Sequence, residues 1–397
     1  MKEFLPYSRQ QIDDADISAV VEVLKSDFLT TGPKVDAFET AFASKVGAKH
    51  AVVCSSGTAG LHMATTALGL SQNDVAILPA ITFLSTANAV RFTGAEVVFA
   101  DVDQETGLIT EKTAETALSN VGSAKVMLPV HLNGQCCDME DLTHWAEKNN
   151  IAVVEDACHA LGGYYNNGKK IGSGERRLTV FSSHPVKAIA MGEGGVVTTE
   201  DSGVAERLRR LRNHGMVRDS ANFASPEQGF AEDGTPNPWY YEMQTLGFNY
   251  RTSDIHCALG LSQLNKLDGF VTKQNRLVDL YAERLKALSP VVKPVGRRCH
   301  GTPAWHVAVV LIDFAAAGVD RAAVMNGLRE HGIGSQVLYM PLYRQPYYER
   351  RYGKQQLPGA ETYYERALCL PLFSGMIEDD IDRVVEALEI VLGMKTA

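Results

Sequence analysis

The chain has 397 residues, 45% of them hydrophobic and 21% charged, which suits a globular protein with one large core and one smaller. A formal net charge of −9 argues against a nucleic-acid binder, which needs a basic face, and no stretch is apolar for long enough to span a bilayer. The first residues lack an apolar signal-peptide core, and seven cysteines without a disulfide pattern suit a reducing compartment, so the expected location is the cytoplasm.

Over the first 250 residues, short apolar runs alternate with amphipathic ones. The pattern predicts helices over 13–25 and 33–45, a strand over 50–54, a helix over 58–70, a strand over 75–79 and a helix over 84–93. It continues with a strand over 96–100, a helix over 112–120, a strand over 125–130 and a helix over 139–149. Strands over 151–155, 178–182 and 195–199 and a helix over 201–213 follow. Such alternation implies an α/β fold, an open and largely parallel sheet with helices on both faces. Residues 219–246, rich in Gly, Pro, Asn and acids, read as an irregular insertion of a length usually functional or mobile. Trp239-Tyr240-Tyr241 within it either faces substrate or anchors the loop. A long helix over 253–287, capped by Thr252, Ser253 or Asp254, leads to a strand over 305–312 and helices over 320–331 and 378–393. The expected division is a large domain, 1–250, and a connecting helix with a small domain, 251–397.

Four segments carry chemistry. Lys187 follows Phe181-Ser182-Ser183-His184-Pro185-Val186 and precedes the turn Gly192-Glu193-Gly194-Gly195. Its neighbours Val186, Ala188 and Ile189 are apolar, and burying an amine favours its neutral form, a nucleophile able to form a Schiff base. The plainer reading is a snorkelling lysine at a strand end. Asp156 ends an apolar run at the carboxyl edge of the sheet, where ligands bind in open α/β folds. There it either pairs with a cofactor's ring nitrogen or caps the next helix. Cys54-Ser55-Ser56-Gly57-Thr58 joins a strand to a helix through small residues, which suits either a phosphate at the helix N-terminus or an ordinary turn. Gly247-Phe248-Asn249-Tyr250-Arg251 names no function by itself. Cys136-Cys137 near His131, and Cys158 beside His159, lack the spacing of zinc pairs, so no metal is expected.

Together these segments resemble the DegT/StrS-type sugar aminotransferases over nearly the whole chain, from Tyr7 and Leu29-Thr30-Thr31-Gly32 to Leu370-Pro371-Leu372. The resemblance implies fold type I, with a seven-stranded sheet containing one antiparallel strand and a smaller C-terminal α/β domain. It implies pyridoxal 5′-phosphate, joined to Lys187, with Asp156 on the pyridine nitrogen, His159 near the ring and Phe83 stacked on it. Gly57, Thr58 and Ser182 would hold the phosphate, with Asn249 reaching it from a neighbouring subunit, so that a homodimer shares its sites. Tyr7, Leu29, Thr30, His184 and Tyr339 match positions near the sugar substrate. Ser183 and Met191 depart from the family's usual aromatic and its usual threonine or cysteine, which puts the pocket's shape in doubt.

Within the family, Met1-Lys2-Glu3-Phe4, Asn213 to Asp219 and Asn237 to Met243 most resemble the pseudaminic-acid branch. That implies transfer of an amino group, usually from L-glutamate, to C-4 of a UDP-linked 4-keto-6-deoxy-N-acetylhexosamine, giving UDP-4-amino-4,6-dideoxy-L-AltNAc. A different 4-amino sugar of the bacillosamine or perosamine type is the alternative, and a non-catalytic sugar-nucleotide binder on the same fold is a third reading.

Overall fold

The computed structural model describes residues 3–297 and 301–394, so Met1 and Lys2 of the opening segment lie outside the described residues. In chain order the first elements are α1 (Asp14–Leu24), α2 (Pro33–Val46), β1 (His50–Cys54), α3 (Gly57–Ala67), β2 (Val75–Pro79), α4 (Leu84–Phe92) and β3 (Glu96–Ala100). They continue with α5 (Glu111–Val121), β4 (Val126–Met127), α6 (Met139–Lys148), β5 (Ala152–Asp156), β6 (Arg177–Ser182), β7 (Gly195–Thr199) and α7 (Ser202–Arg212). The seven strands form one sheet in the order β1-β7-β6-β5-β4-β2-β3. Strand β7 runs antiparallel to both its neighbours, and the remaining pairs are parallel.

The inner strands are covered on both faces, which is why they read as unbroken Val-rich runs rather than alternating ones. The strand expected over 125–130 shortens to two residues because Pro129 has no N–H to give to a ladder. Its carbonyl still accepts from the Asp156 N–H at 2.9 Å, which keeps the chain beside β5.

Just before the insertion stands β8 (Met216–Val217); the insertion carries α8 (Pro226–Gly229) and β9 (Glu242–Met243), and β8 pairs with β9. Phe223 packs edge-on against Phe230 and Tyr240, and Glu242 accepts from the N–H groups of Ala224 and Ser225. The loop thus has its own small core. Tyr240 belongs to it, whereas Trp239 is 75% exposed and does not anchor the loop.

Helix α9 (Asp254–Arg284) is capped by Ser253, whose hydroxyl accepts from the His256 N–H. Asp254 instead serves α2, accepting from the N–H groups of Gly32 at 2.8 Å and Lys34 at 2.9 Å, where the helix dipole favours a carboxylate. The C-terminal part contains β10 (Val292–Pro294), β11 (Ala308–Ile312), α10 (Phe314–Ala317), α11 (Arg321–Glu330), α12 (Pro346–Tyr352), α13 (Pro358–Arg366), β12 (Ala367–Leu370) and α14 (Glu378–Val391). Strands β10, β11 and β12 form a second, antiparallel sheet, and α11 packs against α14. Between them the chain returns to the first sheet. Tyr343, Tyr348 and Tyr352 surround Phe99, and the Tyr352 hydroxyl accepts from the Val97 N–H, so the β3 edge is covered. No helix among the described residues is long and apolar enough to cross a membrane.

Candidate active site

A cavity of about 630 Å³ opens at the carboxyl ends of β1, β5 and β6. Its wall contains Gly57 and Thr58 from the start of α3, Asp156 from β5, Ser182 from β6, and His184 and Lys187 from the segment after β6. Tyr7, Phe83, His159 and Tyr339 complete the group, so ten of the thirteen expected site residues meet in one place.

The other three lie outside it. Leu29 and Thr30 are exposed beside the start of α9, where the Leu29 carbonyl accepts from the Asp254 N–H. Asn249 is exposed and paired through its backbone with Asn213.

The turn into α3 is pressed against β6. A Cβ on Gly57 would stand 2.9 Å from the Ser182 Cβ and 3.1 Å from the Cys158 sulfur, so only glycine permits this approach. Ser56 caps the helix by accepting from the Ala59 N–H. The first turn of a helix leaves N–H groups without intrahelical partners and carries partial positive charge. With the Ser182 hydroxyl beside it, the turn is a cradle suited to an anion.

Asp156 is nearly fully buried. Its Oδ2 accepts from the Thr86 hydroxyl at 2.7 Å, and Thr86 is itself 2.7 Å from the Thr82 hydroxyl. Its Oδ1 accepts from the Cys158 N–H at 3.2 Å. Turns rather than a helix follow β5, so the helix-cap alternative fails. Glu155, one residue earlier, points to the opposite face of the sheet, as strand geometry requires. There it accepts from His131 at 2.8 Å and Tyr165 at 2.7 Å and lies 2.7 Å from Arg177. Burial alone would raise its pKa, but Arg177 and His131 hold it below the ordinary carboxylate value.

Lys187 is half-buried, and desolvation pulls its pKa below the ordinary lysine value against the opposing pull of Cys158 and Asp156. His159 accepts from the Asn133 N–H through Nδ1 at 3.3 Å. Its Nε2 therefore carries the proton and donates to the Tyr339 hydroxyl at 3.2 Å. Burial, with Lys187 and His306 nearby, pushes its pKa well below the usual histidine value and keeps the ring neutral. Phe83 is 52% exposed, its ring 5.8 Å from that of Tyr339, so it is a wall of the cavity and not a core residue.

Several residues here escaped sequence reasoning. Thr82 and Thr86 support Asp156, and Glu193 and Gln336 line the cavity. Asn133 holds His159 through its backbone and donates its amide to Tyr363 at 3.0 Å. The His306 ring lies 4.5 Å from that of His159, tilted against it. Glu193 stood in a quoted motif without a role, and the i, i+4 pair Thr82/Thr86 was a visible signal. Cys136 and Cys137 are buried thiols, and the Cys137 sulfur donates to the Val130 carbonyl. Among the described residues no group of three or more His, Cys, Asp or Glu could hold a metal ion.

The cradle, the buried carboxylate across from it and the half-buried amine fit pyridoxal phosphate, whose phosphate, ring nitrogen and aldehyde need those three groups. Comparison with known proteins agrees. Over 395 residues the chain is 38% identical to the spore coat polysaccharide biosynthesis protein SpsC of Bacillus subtilis (strain 168), covering 98% of each. The structure resembles that of Helicobacter pylori PseC, an aminotransferase involved in the biosynthesis of pseudoaminic acid, with a TM-score of 0.87 and 27% identity over 99% of this chain and 100% of that one. It also resembles the putative sugar aminotransferase Spr1654 of Streptococcus pneumoniae in its PMP form, with a TM-score of 0.86 and 26% identity over 98% and 99% of the two chains. The profile of the DegT/DnrJ/EryC1/StrS aminotransferase family matches residues 10–389, and the chain belongs to that family of sugar aminotransferases, with pyridoxal phosphate as its cofactor.

Proposed function

We propose that this enzyme moves an amino group from L-glutamate to C-4 of a UDP-linked 4-keto-6-deoxy-N-acetylhexosamine, giving UDP-4-amino-4,6-dideoxy-L-AltNAc for pseudaminic acid. The observation that carries transamination is the meeting of Lys187 and Asp156 in one cavity with the Gly57-Thr58-Ser182 cradle. The particular sugar is supported by the resemblance of Asn213 to Asp219 and Asn237 to Met243, and by the likeness to PseC.

Pyridoxal phosphate, when bound, supplies the electron sink for breaking bonds at the amine-bearing carbon. Gly57, Thr58 and Ser182 hold the phosphate. Asp156 keeps the pyridine nitrogen protonated, while Thr86 and the Cys158 N–H fix its carboxylate. Phe83 covers a face of the ring, and neutral His159 offers Nε2–H beside Tyr339. The Lys187 Nζ accepts the proton leaving the donor's α-carbon and later delivers one to C-4 of the sugar. Tyr7, His184 and Tyr339 face the sugar.

The same reading makes the enzyme a cytoplasmic homodimer with shared sites, residues 1–250 holding the cofactor and 251–397 completing each subunit. Asn249 is exposed and apart from its own chain's cavity, as a residue serving a second copy should be. Ile17, Leu24, Phe28 and Leu29 are each about half exposed, an apolar face for that copy to cover, and Leu29 and Thr30 would then border the shared site.

The test is kcat/KM, with glutamate as donor, for the UDP-linked L-arabino 4-keto-6-deoxy sugar and its D-xylo epimer. A preference of about ten-fold for the L-arabino form corresponds to roughly 1.4 kcal/mol of transition-state discrimination. A D-xylo preference would favour the second reading, a 4-amino sugar for another surface polysaccharide, which the likeness to SpsC supports.

A further inference from the structure

Lys187 lies in an excursion, 183–194, that has no regular secondary structure between β6 and β7. Its position must therefore be set by what it rests on. At the base, the Ser183 N–H donates to the Gly194 carbonyl and the Met191 N–H to the Ser183 carbonyl, both at 2.9 Å. At the tip, the Ser8 hydroxyl donates to the Val186 carbonyl at 3.3 Å.

The floor is one face of α9, where His256, Gly260 and Gln263 follow at intervals of four and three residues. A Cβ on Gly260 would stand 2.9 Å from the Met191 Cγ, so the glycine lets Met191 seat against the helix. Gln263, 1% exposed, accepts from the Ala190 N–H through Oε1 at 3.3 Å. Its Nε2 donates to the Gln11 carbonyl at 2.9 Å and to Oδ2 of Asp16 at 2.7 Å.

We propose that Gln263 is a positioning residue for Lys187, and that Asp16, together with the Gln11 carbonyl, sets which way its amide points. The inference rests on Lys187 being the cofactor-linked lysine. An amide can be turned end for end at little cost in shape, so something must select the orientation. Asp16 is fully buried, and its Oδ2 also takes the Lys266 ammonium at 2.6 Å. An ionised carboxylate and the Gln11 carbonyl only accept, so Nε2 must face both and Oε1 is left to face Ala190. The same Oδ2 also accepts from the Asp13 N–H at 3.0 Å in the capping box of α1, and Lys266 reaches Asp13 as well, at 2.8 Å. The other oxygen of Asp16, Oδ1, is buried without a hydrogen-bond partner, so the contacts to Gln263, Lys266 and the Asp13 N–H all fall on Oδ2.

The test uses the purified holoenzyme and the variants Gln263→Met, which keeps length and bulk, and Asp16→Asn, which keeps shape. Borohydride reduction and peptide mapping first locate the cofactor-bearing lysine. The readouts are then the pH midpoint of the cofactor's visible absorption band, the rate of cofactor loss on dialysis, the kcat and KM values, and the melting temperature. For Gln263→Met we expect the midpoint to move by about half a pH unit or more. We also expect cofactor loss to rise and kcat to fall, each by about ten-fold, with both KM values within about two-fold of the parent. Asp16→Asn should move the same readouts in the same direction by less, and it carries the test if Gln263→Met does not fold. An unchanged midpoint and unchanged cofactor loss in Asp16→Asn and in any folded Gln263→Met, with only melting lowered, would overturn the proposal while leaving Lys187 in its role. An adduct on another lysine would overturn both.

Discussion

The Thr86 hydroxyl stands 2.7 Å from Oδ2 of Asp156, and against an ionised carboxylate it can only donate. Thr82, 2.7 Å from Thr86, must then donate in turn, so two hydroxyls, one on the β2–α4 turn and one in the first turn of α4, hold the carboxylate by a relay. Asp156→Asn should keep the fold and lower kcat by about a hundred-fold or more, because an amide cannot sustain a protonated pyridine. Thr86→Val should cost about ten-fold, from losing a hydrogen bond to a charged group. Steady-state kinetics on both variants checks this, and a normal rate in Asp156→Asn would reduce that residue to a structural one.

On the proposed role of Lys187, Lys187→Ala should show no turnover, since it removes both the cofactor-linking amine and the proton carrier. Borohydride reduction of the parent, followed by peptide mass analysis, should place the cofactor on Lys187.

If Asn249 completes the site of a second copy, mixing Asn249→Ala with Lys187→Ala chains should restore activity that neither has alone. Half the dimers at equal mixing are hybrids with one intact site, so recovery should approach about a quarter of the parent rate. Subunit exchange without recovery counts against the shared site.

His62 provides a pH test. Burial pushes its pKa from 6.5 down to about 4. Below pH 6.5 the unfolded chain takes up a proton here that the folded chain refuses, so stability is full above 6.5 and is lost as pH falls toward 4. Between pH 7.5 and 5, the melting temperature of the parent should fall by roughly 2–4 °C more than that of His62→Gln. Parallel curves would show that His62 does not contribute.

The sheet was readable because its strands are buried on both faces and so appear as short apolar runs with turn residues between them. Pro129 marked where β4 stops, although the run of Val126, Met127 and Leu128 suggested a longer strand. The placing of Lys187 and Asp156 at the carboxyl edge of the sheet was legible through their local neighbours. Asn133, His306 and Gln263 were not, because each acquires its meaning from a partner far along the chain. Gln263 is 73 residues from Ala190, and Asn133 is 26 from His159. The orientation of Asp254 toward α2 rather than α9 was hidden for the same reason, since three consecutive hydroxyl or acidic residues, Thr252, Ser253 and Asp254, compete for one cap until the tertiary packing chooses.

The exposed Trp239 gives the protein a built-in optical probe. The chain has three tryptophans, and Trp145 and Trp305 are buried at 4% and 2% exposure, so the water-quenchable, red-shifted part of the emission comes from the insertion alone. Fluorescence can therefore follow whether that loop becomes covered when a second subunit or a nucleotide sugar arrives, with no label attached.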